Sequence, residues 1–591
     1  MSNNRFSIKK RLLMISALSF SLALAACSNS KKESSSEKKE ESSPAPASVS
    51  SEVSSSSIIE SSSIEESSEV SSSEESISSL PPEESYNIVR PEFTPDYDNY
   101  GLSGAPSGVN LTYYSDIYSR GLSWITDTTA EETELYLIKS DKGAEADFDD
   151  ANLYYGETLE VSYDTSGYIT AEGLEYKKGS GNTNNVTLMS HKVHVENLEK
   201  GKAYSYKIGS EEGYAYGAFI VEKDDPEEIQ AIHMSDAQTK DLSKTNVWRN
   251  TFKNAVETAG DGLDMALYNG DQFDQNNSSG NDKEPFRFYR FLKAYDVISD
   301  YKFNLPYMAS SGNHEPSSPY SNYLTGDIDY AGFDYKGTYY SYDYSFAHFV
   351  VLNTNNLDEA QINWLKEDLE EAEDMTWKIV MLHISPYSSG DHSNDTENQQ
   401  IVEKLTPIFS EYHVDLVLQA HDHTYNKTKA YRWDAAGYTT TYDNDEVVNL
   451  DPDTETIDGI TYDKNPEGTY YVTTGAAGHR CGDQEKDGIW AEVTYDDGGE
   501  AQALNPSKTF LNNKYKIEMG ALKYETQYAP YTFSGYTSDQ HYEIGDLATG
   551  NVNAQMFGVL NLTKTTLSYN VYTVKLDLEP QIFDSLDILK A

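Results

Sequence analysis

The chain has 591 residues and a formal net charge of -52, from 97 acidic and 45 basic side chains. This excess of negative charge excludes a chain-wide attraction to nucleic acid or to anionic lipid, so an anionic partner would need a local cationic site. The only cysteines are Cys27 and Cys481, so the stability of the chain must come from hydrophobic cores and not from a set of disulfides.

The N-terminus has the pattern of an export signal. A basic segment precedes the apolar run 12–26, which is too short to span a bilayer. The sequence Leu24-Ala25-Ala26-Cys27 resembles the lipobox of bacterial lipoproteins, which implies cleavage before Cys27 and lipidation of its thiol; a free buried cysteine is the alternative. We expect residues 1–26 to be a signal peptide and the mature chain to be extracytoplasmic, lipid-anchored to the bacterial cell membrane.

Two regions of different composition follow the signal. Residues 27–90 consist mostly of Ser, Glu, Lys and Pro and cannot bury enough apolar surface to fold, so we predict a disordered tether. Residues 91–225 contain short alternating runs, such as Gly121–Thr126 and Glu134–Lys139, separated by turn residues. This spacing predicts an all-β sandwich without catalytic residues, in which Trp124 belongs to the core.

From residue 226 to the C-terminus, strands and helices alternate, which predicts an α/β layered domain. We predict strands at 229–234, 265–269, 307–311, 349–353, 377–383, 414–419 and 469–474. We predict helices at 245–258, 284–298, 358–373 and 397–412. The segments near 427–466 and 505–550 have weak periodicity and are interpreted as surface insertions.

Residues that bind metals recur where these predicted strands end, which is where open α/β sheets place their sites. They lie in Ser235-Asp236-Ala237-Gln238, Asn269-Gly270-Asp271, Gly312-Asn313-His314-Glu315, His383 and Ala420-His421-Asp422-His423. Each segment alone could be a helix cap, a turn or a core histidine. Together, carboxylates, an amide and imidazoles at successive strand ends can converge on two cations.

These segments resemble the motifs of the metallophosphoesterase (calcineurin-like phosphoesterase) superfamily, and within it the purple acid phosphatase family. The family motifs run Asp-x-Gly, Gly-Asp-x-x-Tyr, Gly-Asn-His-Glu/Asp, Val-x-x-His and Gly-His-x-His. The resemblance extends to residues 91–225, which are similar to the family's fibronectin type III-like N-terminal domain. It implies a multidomain protein whose catalytic domain, 226–591, is a layered α/β/β/α sandwich.

The resemblance also implies a ligand set and an activity. Asp236, Asp271 and His423 would hold one metal, and Asp271, Asn313, His383 and His421 the other. His314 and His392 match the family's substrate histidines, although His392 is matched by spacing alone and an exposed loop histidine is the alternative. The implied reaction is metal-dependent hydrolysis of phosphate monoesters by attack of a metal-bound hydroxide.

Three departures from the family pattern affect the first metal. Asp274 stands where the family has tyrosine, Ala420 where it has glycine, and Gln238 where it has glycine and other superfamily members have a histidine ligand. We expect two metal ions, Fe, Mn or Zn, without the Fe(III)-tyrosinate that colours the family. Gln238 is a possible additional ligand, and an outer polar role is the alternative.

The metal motifs select phosphoryl chemistry but not the substrate. A small phosphorylated substrate is expected, without nucleic acid binding, and the sequence does not indicate the oligomeric state. The alternatives are a phosphodiesterase or nucleotidase with the same metal centre, or a surface binding protein whose metal site is vestigial.

Overall fold

The computed structural model of the chain describes residues 103–164, 185–273, 304–315, 339–433, 447–478 and 555–591, apart from short gaps inside these ranges, together with 291–292, 494–495 and 501–502. Cys27, the predicted signal and tether, Asp274 and the predicted insertion at 505–550 lie outside the described residues. All described residues belong to one unit, Ser85–Ala591. No helix in these ranges has the length and apolar character needed to cross a bilayer.

The N-terminal part of the described chain is built from strands, as predicted. They are β1 (Ser107–Thr112), β2 (Arg120–Thr126), β3 (Glu134–Lys139), β4 (Asn152–Tyr155), β5 (Glu157–Asp164), β6 (Asn185–Val195), β7 (Ala203–Ser210) and β8 (Gly213–Ile220), with a 3-10 turn at Gly143–Glu145. Strands β4-β3-β7-β8 form one sheet, and β1-β2-β6-β5 lie side by side in another. Leu122 and Trp124 from the second of these sheets pack against Leu135, Tyr206 and Phe219 from the first in one buried cluster.

Within its described residues, the rest of the chain combines strands with helices. The helices are α1 (Leu242–Ala259), α2 (Glu359–Glu371) and α3 (Thr396–Glu411), and a 3-10 turn covers Gly260–Gly262. The strands are β9 (Glu228–Met234), β10 (Met265–Tyr268), β11 (Pro306–Ala309), β12 (Tyr340–Tyr344), β13 (Ala347–Val351), β14 (Trp377–Ile384), β15 (Leu416–Ala420), β16 (Tyr425–Lys427), β17 (Ala430–Trp433), β18 (Val447–Leu450), β19 (Asp453–Ile457), β20 (Ile460–Lys464), β21 (Tyr470–Thr474), β22 (Thr494–Tyr495), β23 (Ala501–Gln502), β24 (Gln555–Thr563), β25 (Thr566–Lys575) and β26 (Leu578–Leu589).

Two sheets pack face to face at the centre of this half. The large sheet has the order β19-β20-β26-β25-β24-β9-β10-β11-β1-β2-β6-β5, and the second sheet has the order β12-β13-β14-β15-β21-β16. Leu267 and Leu560 of the large sheet meet Phe349 and Met381 of the second sheet in a continuous core. Strands β10, β11 and β15 are buried at every position because both of their faces are covered.

Helices cover the outer face of each sheet. Trp248 and Phe252 of α1 pack on the large sheet, and Leu365 of α2 and Leu405 of α3 pack on the second sheet. The layers therefore run helix, sheet, sheet, helix. The predicted sheet-rich α/β core is confirmed, whereas the fibronectin-like assignment of residues 91–225 stays a prediction.

The N-terminal strands share the large sheet with the α/β half. Strand β1 pairs in parallel with β11, with Leu111 opposite Pro306 and Thr112 opposite Tyr307. Ile125 and Leu188, from β2 and β6, belong to the same buried cluster as Trp248. The sequence predicts two domains, 91–225 and 226–591. In the structure the large sheet continues across this boundary, because β1 pairs with the edge that β11 would otherwise expose. The proposed domain boundaries remain predictions.

The predicted insertion at 427–466 contains regular structure. Strands β19 and β20 form a hairpin whose turn residues Asp458 and Gly459 take positive φ angles of 51° and 89°, the backbone expected of a two-residue turn between twisted strands. Strand β20 then pairs with β26 at the edge of the large sheet. The hairpin carries mostly polar, exposed side chains, so it lacks the apolar alternation by which a strand is recognised.

A buried histidine connects the second sheet to α2. His348 Nδ1 lies 2.7 Å from Asp343 Oδ1, and His348 Nε2 lies 3.0 Å from Asp368 Oδ2, so both ring nitrogens face carboxylates. Ser341 donates to the other oxygen of Asp368. Burial alone lowers the pKa of His348, but the hydrogen bonds to Asp343 and Asp368 outweigh it and raise this pKa from 6.5 to about 9.

We predict that the free energy of unfolding falls at alkaline pH because His348 loses its proton. Because the folded-state pKa is raised, its contribution is complete below the unfolded value of 6.5 and is lost as the pH rises through 9. As the pH rises, the parent chain should lose about 2 kcal/mol of its free energy of unfolding relative to His348→Gln. This loss is smaller than the full pKa shift of His348 implies, because Asp343 is largely exposed. Urea denaturation of both chains at about pH 6 and about pH 10 measures this difference. A difference that does not change with pH would exclude this role.

Candidate metal centre

The predicted ligands follow strands of both central sheets and take unusual backbone conformations. Asp236, Asp271 and Asn313 follow β9, β10 and β11 of the large sheet, whereas His383 lies in β14 and His421 and His423 follow β15 of the second sheet. The φ angles of Asp236, Asp271 and His421 are 51°, 52° and 74°. Non-glycine residues rarely adopt such angles, and where they do, the site is commonly functional.

Two glycines allow the first two loops to touch. A Cβ atom on Gly270, whose φ is 80°, would lie 2.5 Å from the Gly312 nitrogen, and a Cβ atom on Gly312 would lie 2.2 Å from Asp271 Oδ1. Both distances are too short for any side chain. The glycines that precede Asp271 and Asn313 in the sequence are therefore required for the ends of β10 and β11 to approach each other.

The first group of potential ligands is fully buried. One ligand atom each from Asp236, Asp271 and His423 lies within 4.8 Å of the others, and His423 Nε2 lies 3.4 Å from Asp236 Oδ1. Neither carboxylate oxygen of Asp236 has a hydrogen-bond partner within the described residues. A buried carboxylate without donors is costly unless a cation compensates it, so this group fits a metal ion.

The second group shares Asp271 with the first and reaches the surface. Ligand atoms of Asp271, His383 and His421 lie within 4.8 Å of one another, and His383 Nε2 is 3.3 Å from Asp271 Oδ1. His383 Nδ1 donates to the carbonyl oxygen of Asn269 at 2.6 Å, which leaves Nε2 to face the site. Asp271 and His383 are buried, His421 is half-buried and Asn313 is exposed, so a substrate can reach this group from solvent.

The Asn313 side chain completes the second group. One end of its amide lies 2.9 Å from His383 Nε2, 3.0 Å from His421 Nδ1 and 3.2 Å from Asp271 Oδ2. Without a cation, protonated His383 can donate from Nε2 to an amide oxygen at this end, whereas Asp271 can accept only from the amide nitrogen. If a cation replaced the His383 proton and the amide oxygen faced it, all four side chains could offer lone pairs, as a metal ion requires.

The electrostatics of the pair of groups are strongly coupled. Burial alone lowers the pKa of His383, but Asp271 outweighs it and raises this pKa to about 10. Burial and the neighbouring His383 lower the pKa of His421 well below its usual range. Burial raises the pKa of Asp271, but His383 and His314 outweigh it and keep that carboxyl ionised. His383 would have to release its Nε2 proton to hold a cation.

Glu315 fixes the loops that carry Asp271 and Asn313. Its carboxylate accepts hydrogen bonds from the backbone N–H groups of Asp271 (2.8 Å), Gln272 (2.7 Å) and Gly312 (2.6 Å). Burial and the Asp271 charge raise the pKa of Glu315 to about 8. The side chain is buried beside the ligands and acts on their backbone.

Gln238, the possible additional ligand, lies against Asp271. Its Nε2 donates to Asp271 Oδ2 at 3.1 Å, and its Oε1 is buried without a hydrogen-bond partner within the described residues. Its φ is 42°. Gln238 can therefore position Asp271 through Nε2, and its Oε1 can serve as a metal ligand.

Both predicted substrate histidines lie beside the second group. His314 donates its backbone N–H to Asp271 Oδ1 at 2.9 Å, and its Nε2 lies 3.7 Å from Asp271 Oδ2. The ring of His392 lies 4.1 Å from the ring of His421, centroid to centroid, and its backbone N–H donates to Asp422. Both side chains are half-buried, so they border the open side of the centre.

Two asparagines near the centre make hydrogen bonds that the sequence does not predict. Asn269 Nδ2 donates to the carbonyls of Leu382 (3.1 Å) and Leu418 (2.6 Å), and Asn355 Nδ2 donates to Ser311 and Gly312. Asn269 precedes the Gly-Asp motif directly, which is a weak sequence signal. Asn355 lies in no motif, so only the fold brings it to the site.

Comparison with known proteins shows which family this centre resembles. Residues 231–425 match the family model for calcineurin-like phosphoesterases. This part of the chain is similar to calcineurin-like phosphoesterases. The chain is 28% identical over 319 residues to mouse (Mus musculus) acid phosphatase type 7, an alignment that covers 49% of this chain and 64% of the relative. The chain thus spans less than two thirds of that relative's length.

Plant proteins show the same similarity. Purple acid phosphatase 18 of Arabidopsis thaliana is 26% identical over 138 residues, 21% of this chain and 31% of that protein. A purple acid phosphatase isolated from yellow lupin (Lupinus luteus) seeds has a solved structure that covers 82% of this chain and 74% of its own, with 16% identity and a TM-score of 0.49. The match to the calcineurin-like phosphoesterase model and the acid phosphatase relatives support the prediction that the chain is a phosphoric ester hydrolase.

We predict that Asp236 couples metal binding to stability. A metal at a hundredfold excess over its Kd stabilises a fold by about 2.7 kcal/mol, so Zn²⁺ should raise the melting temperature of the parent chain. In Asp236→Asn the shift should be much smaller, because the first group loses one of its two carboxylates, while the metal-free variant should be at least as stable as the metal-free parent. Calorimetry with and without Zn²⁺ measures both. Asp458→Asn, in the exposed β19–β20 turn, is the charge-matched control, and equal Zn²⁺ shifts in all three chains would contradict the assignment.

Proposed function

We propose that the chain hydrolyses phosphate monoesters at two metal ions held by Asp236, Asp271, Asn313, His383, His421 and His423. The observation that supports this most strongly is that two three-residue groups share one carboxylate, Asp271. A carboxylate shared by the two groups would contribute to holding both ions, and a pair of divalent ions would supply the charge stabilisation used in hydrolysis of phosphate esters. Acid phosphatase relatives favour monoesters as the substrate class.

The charge of the ligand set suits an anionic substrate. Two divalent ions would bring four positive charges, and the carboxylates of Asp236 and Asp271 would neutralise two of them. The remaining charge attracts a phosphate dianion although the chain carries a net charge of -52. Bound metal ions would polarise the phosphoryl oxygens and lower the pKa of water at the site.

The protein side chains supply position and protons. Asp271, fixed by Glu315 and by hydrogen bonds from Gln238 and the His314 backbone, sets the distance between the two groups. Asn313 and His421 border the open side, so the substrate approaches there. His314 and His392 lie on that side and are proposed to bind the phosphate and to protonate the leaving oxygen.

The metal identities are proposed from the ligand chemistry. Carboxylate, amide and imidazole ligands suit Fe, Mn or Zn in the divalent state. Asp274 replaces the tyrosine that stabilises Fe(III) in the family, so no tyrosinate charge-transfer absorption is expected. Gln238 is proposed to contribute its Oε1 to the first metal.

The chain is proposed to act outside the cytoplasmic membrane, attached through lipidated Cys27 and the tether, with residues 91–225 forming a fibronectin-like domain. The export pattern and the lipobox support this location. Mass spectrometry of the membrane-extracted protein should find a mature N-terminal peptide that begins with diacylglyceryl-modified Cys27. An unmodified Cys27 inside a longer peptide would exclude the anchor.

We predict that the purified full-length chain binds two metal ions and releases phenol faster from a mono-aryl than from a bis-aryl phosphate. A faster bis-aryl reaction would identify a diesterase, and metal-free, inactive protein would leave only a binding role. In His314→Ala, turnover should fall about 10²- to 10⁴-fold at unchanged metal content, because this side chain acts on the substrate and not on the ions. Unchanged turnover would remove His314 from the mechanism.

A further inference from the structure

A short turn after β13 contacts the backbone beside two of the proposed ligands. We call residues 353–356 the clamp turn. Thr354 Oγ1 accepts a hydrogen bond from the N–H of Ile384, the residue after His383, at 3.0 Å. Asn355 Nδ2 donates to the carbonyl oxygens of Ser311 (3.1 Å) and Gly312 (2.8 Å), the two residues before Asn313.

The clamp turn is held in place by helix α2. The Asn353 N–H donates to Gln361 Oε1 at 2.8 Å, and Gln361 Nε2 donates to the carbonyls of Asn353 and Asn356, both at 3.0 Å. Gln361 is fully buried, and its own N–H is capped by Asp358 at 2.9 Å. A buried amide with all of these bonds fixes the turn in one conformation.

The position of the clamp turn matters because the second ligand group draws on both sheets. Asn313 follows a strand of the large sheet, His383 lies in the second sheet, and their side chains come within 2.9 Å. Glu315 ties the Asn313 loop to Asp271 within the large sheet. The clamp turn ties the same loop to the second sheet, and two bonds to consecutive carbonyls set the orientation of the peptide that leads into Asn313.

We infer that Asn355 is a positioning residue that fixes Asn313 opposite His383 and thereby sets the metal affinity of the second ligand group. This inference rests on the proposed function, because it assumes that the two groups bind metal. The hydrogen bonds of Asn355 reach the second group and not Asp236 or His423. Its loss should therefore weaken one of the two ions and leave the other unchanged.

The test is a titration of the metal-free, full-length chain with Zn²⁺, with the bound ions counted by elemental analysis and both Kd values obtained by calorimetry. Asn355→Leu removes both donors, and Asn355→Asp keeps the shape but places an acceptor against two carbonyls. We expect both variants to weaken one of two Zn²⁺ ions by about 10- to 100-fold, as loss of outer partners of a ligand commonly does. Asn254→Leu, whose side chain donates to Asn250 within helix α1, is the matched control and should bind like the parent.

The outcomes separate this inference from the function on which it rests. If the parent binds two Zn²⁺ ions and both Asn355 variants bind them equally well, the role of Asn355 is wrong and the proposed metal centre stands. The same holds if both ions weaken together, if Asn355→Asp behaves like the parent, or if Asn254→Leu weakens an ion as well. A parent chain that binds no Zn²⁺ overturns both proposals. Melting temperatures of the metal-free chains establish that each variant is folded.

Discussion

The candidate metal centre depends on how the carboxyl ends of strands from two different sheets are held together. Asn269 makes this link: its side chain, on the large sheet, donates to Leu382 and Leu418 of the second sheet, and its carbonyl accepts the His383 Nδ1–H. Each sheet supplies three of the predicted ligands, and all but His383 follow a strand. A shift of one sheet against the other by about an ångström would separate the ligands of the two sheets. The apolar interface supplies the packing energy, and the hydrogen bonds of Asn269 fix how the two sheets are aligned.

Backbone strain and charge concentrate at this junction. Left-handed conformations at Asp236, Asp271 and His421, and a carboxylate without donors at Asp236, are each unfavourable to folding. They persist because the surrounding sheets and the Glu315 carboxylate hold the loops. Such local costs are expected where a fold prepares a cation site before the cation arrives.

The sequence predicts the parts of the fold that local patterns encode. Strands at 229–234, 265–269 and 377–383 and the helices over 245–258 and 397–412 lie within a few residues of the observed elements, because apolar periodicity and length mark them. The ligand candidates were visible for the same reason, as polar residues directly after such strands. Contacts between distant segments were not predictable. The pairing of β1 with β11, the β19–β20 hairpin and the Asn355 bonds depend on which strand edges and carbonyls the complete fold leaves available.

The continuous large sheet has a consequence for the order in which the chain folds. Strand β1 finds its parallel partner β11 nearly two hundred residues later, and β24, the antiparallel neighbour of β9, comes from near the C-terminus. An emerging N-terminal half therefore cannot complete its own sheet before most of the chain is present. Such long-range pairing makes folding slow. Until β24 is available, the strand edges of the incomplete sheet stay exposed to pairing with neighbouring chains.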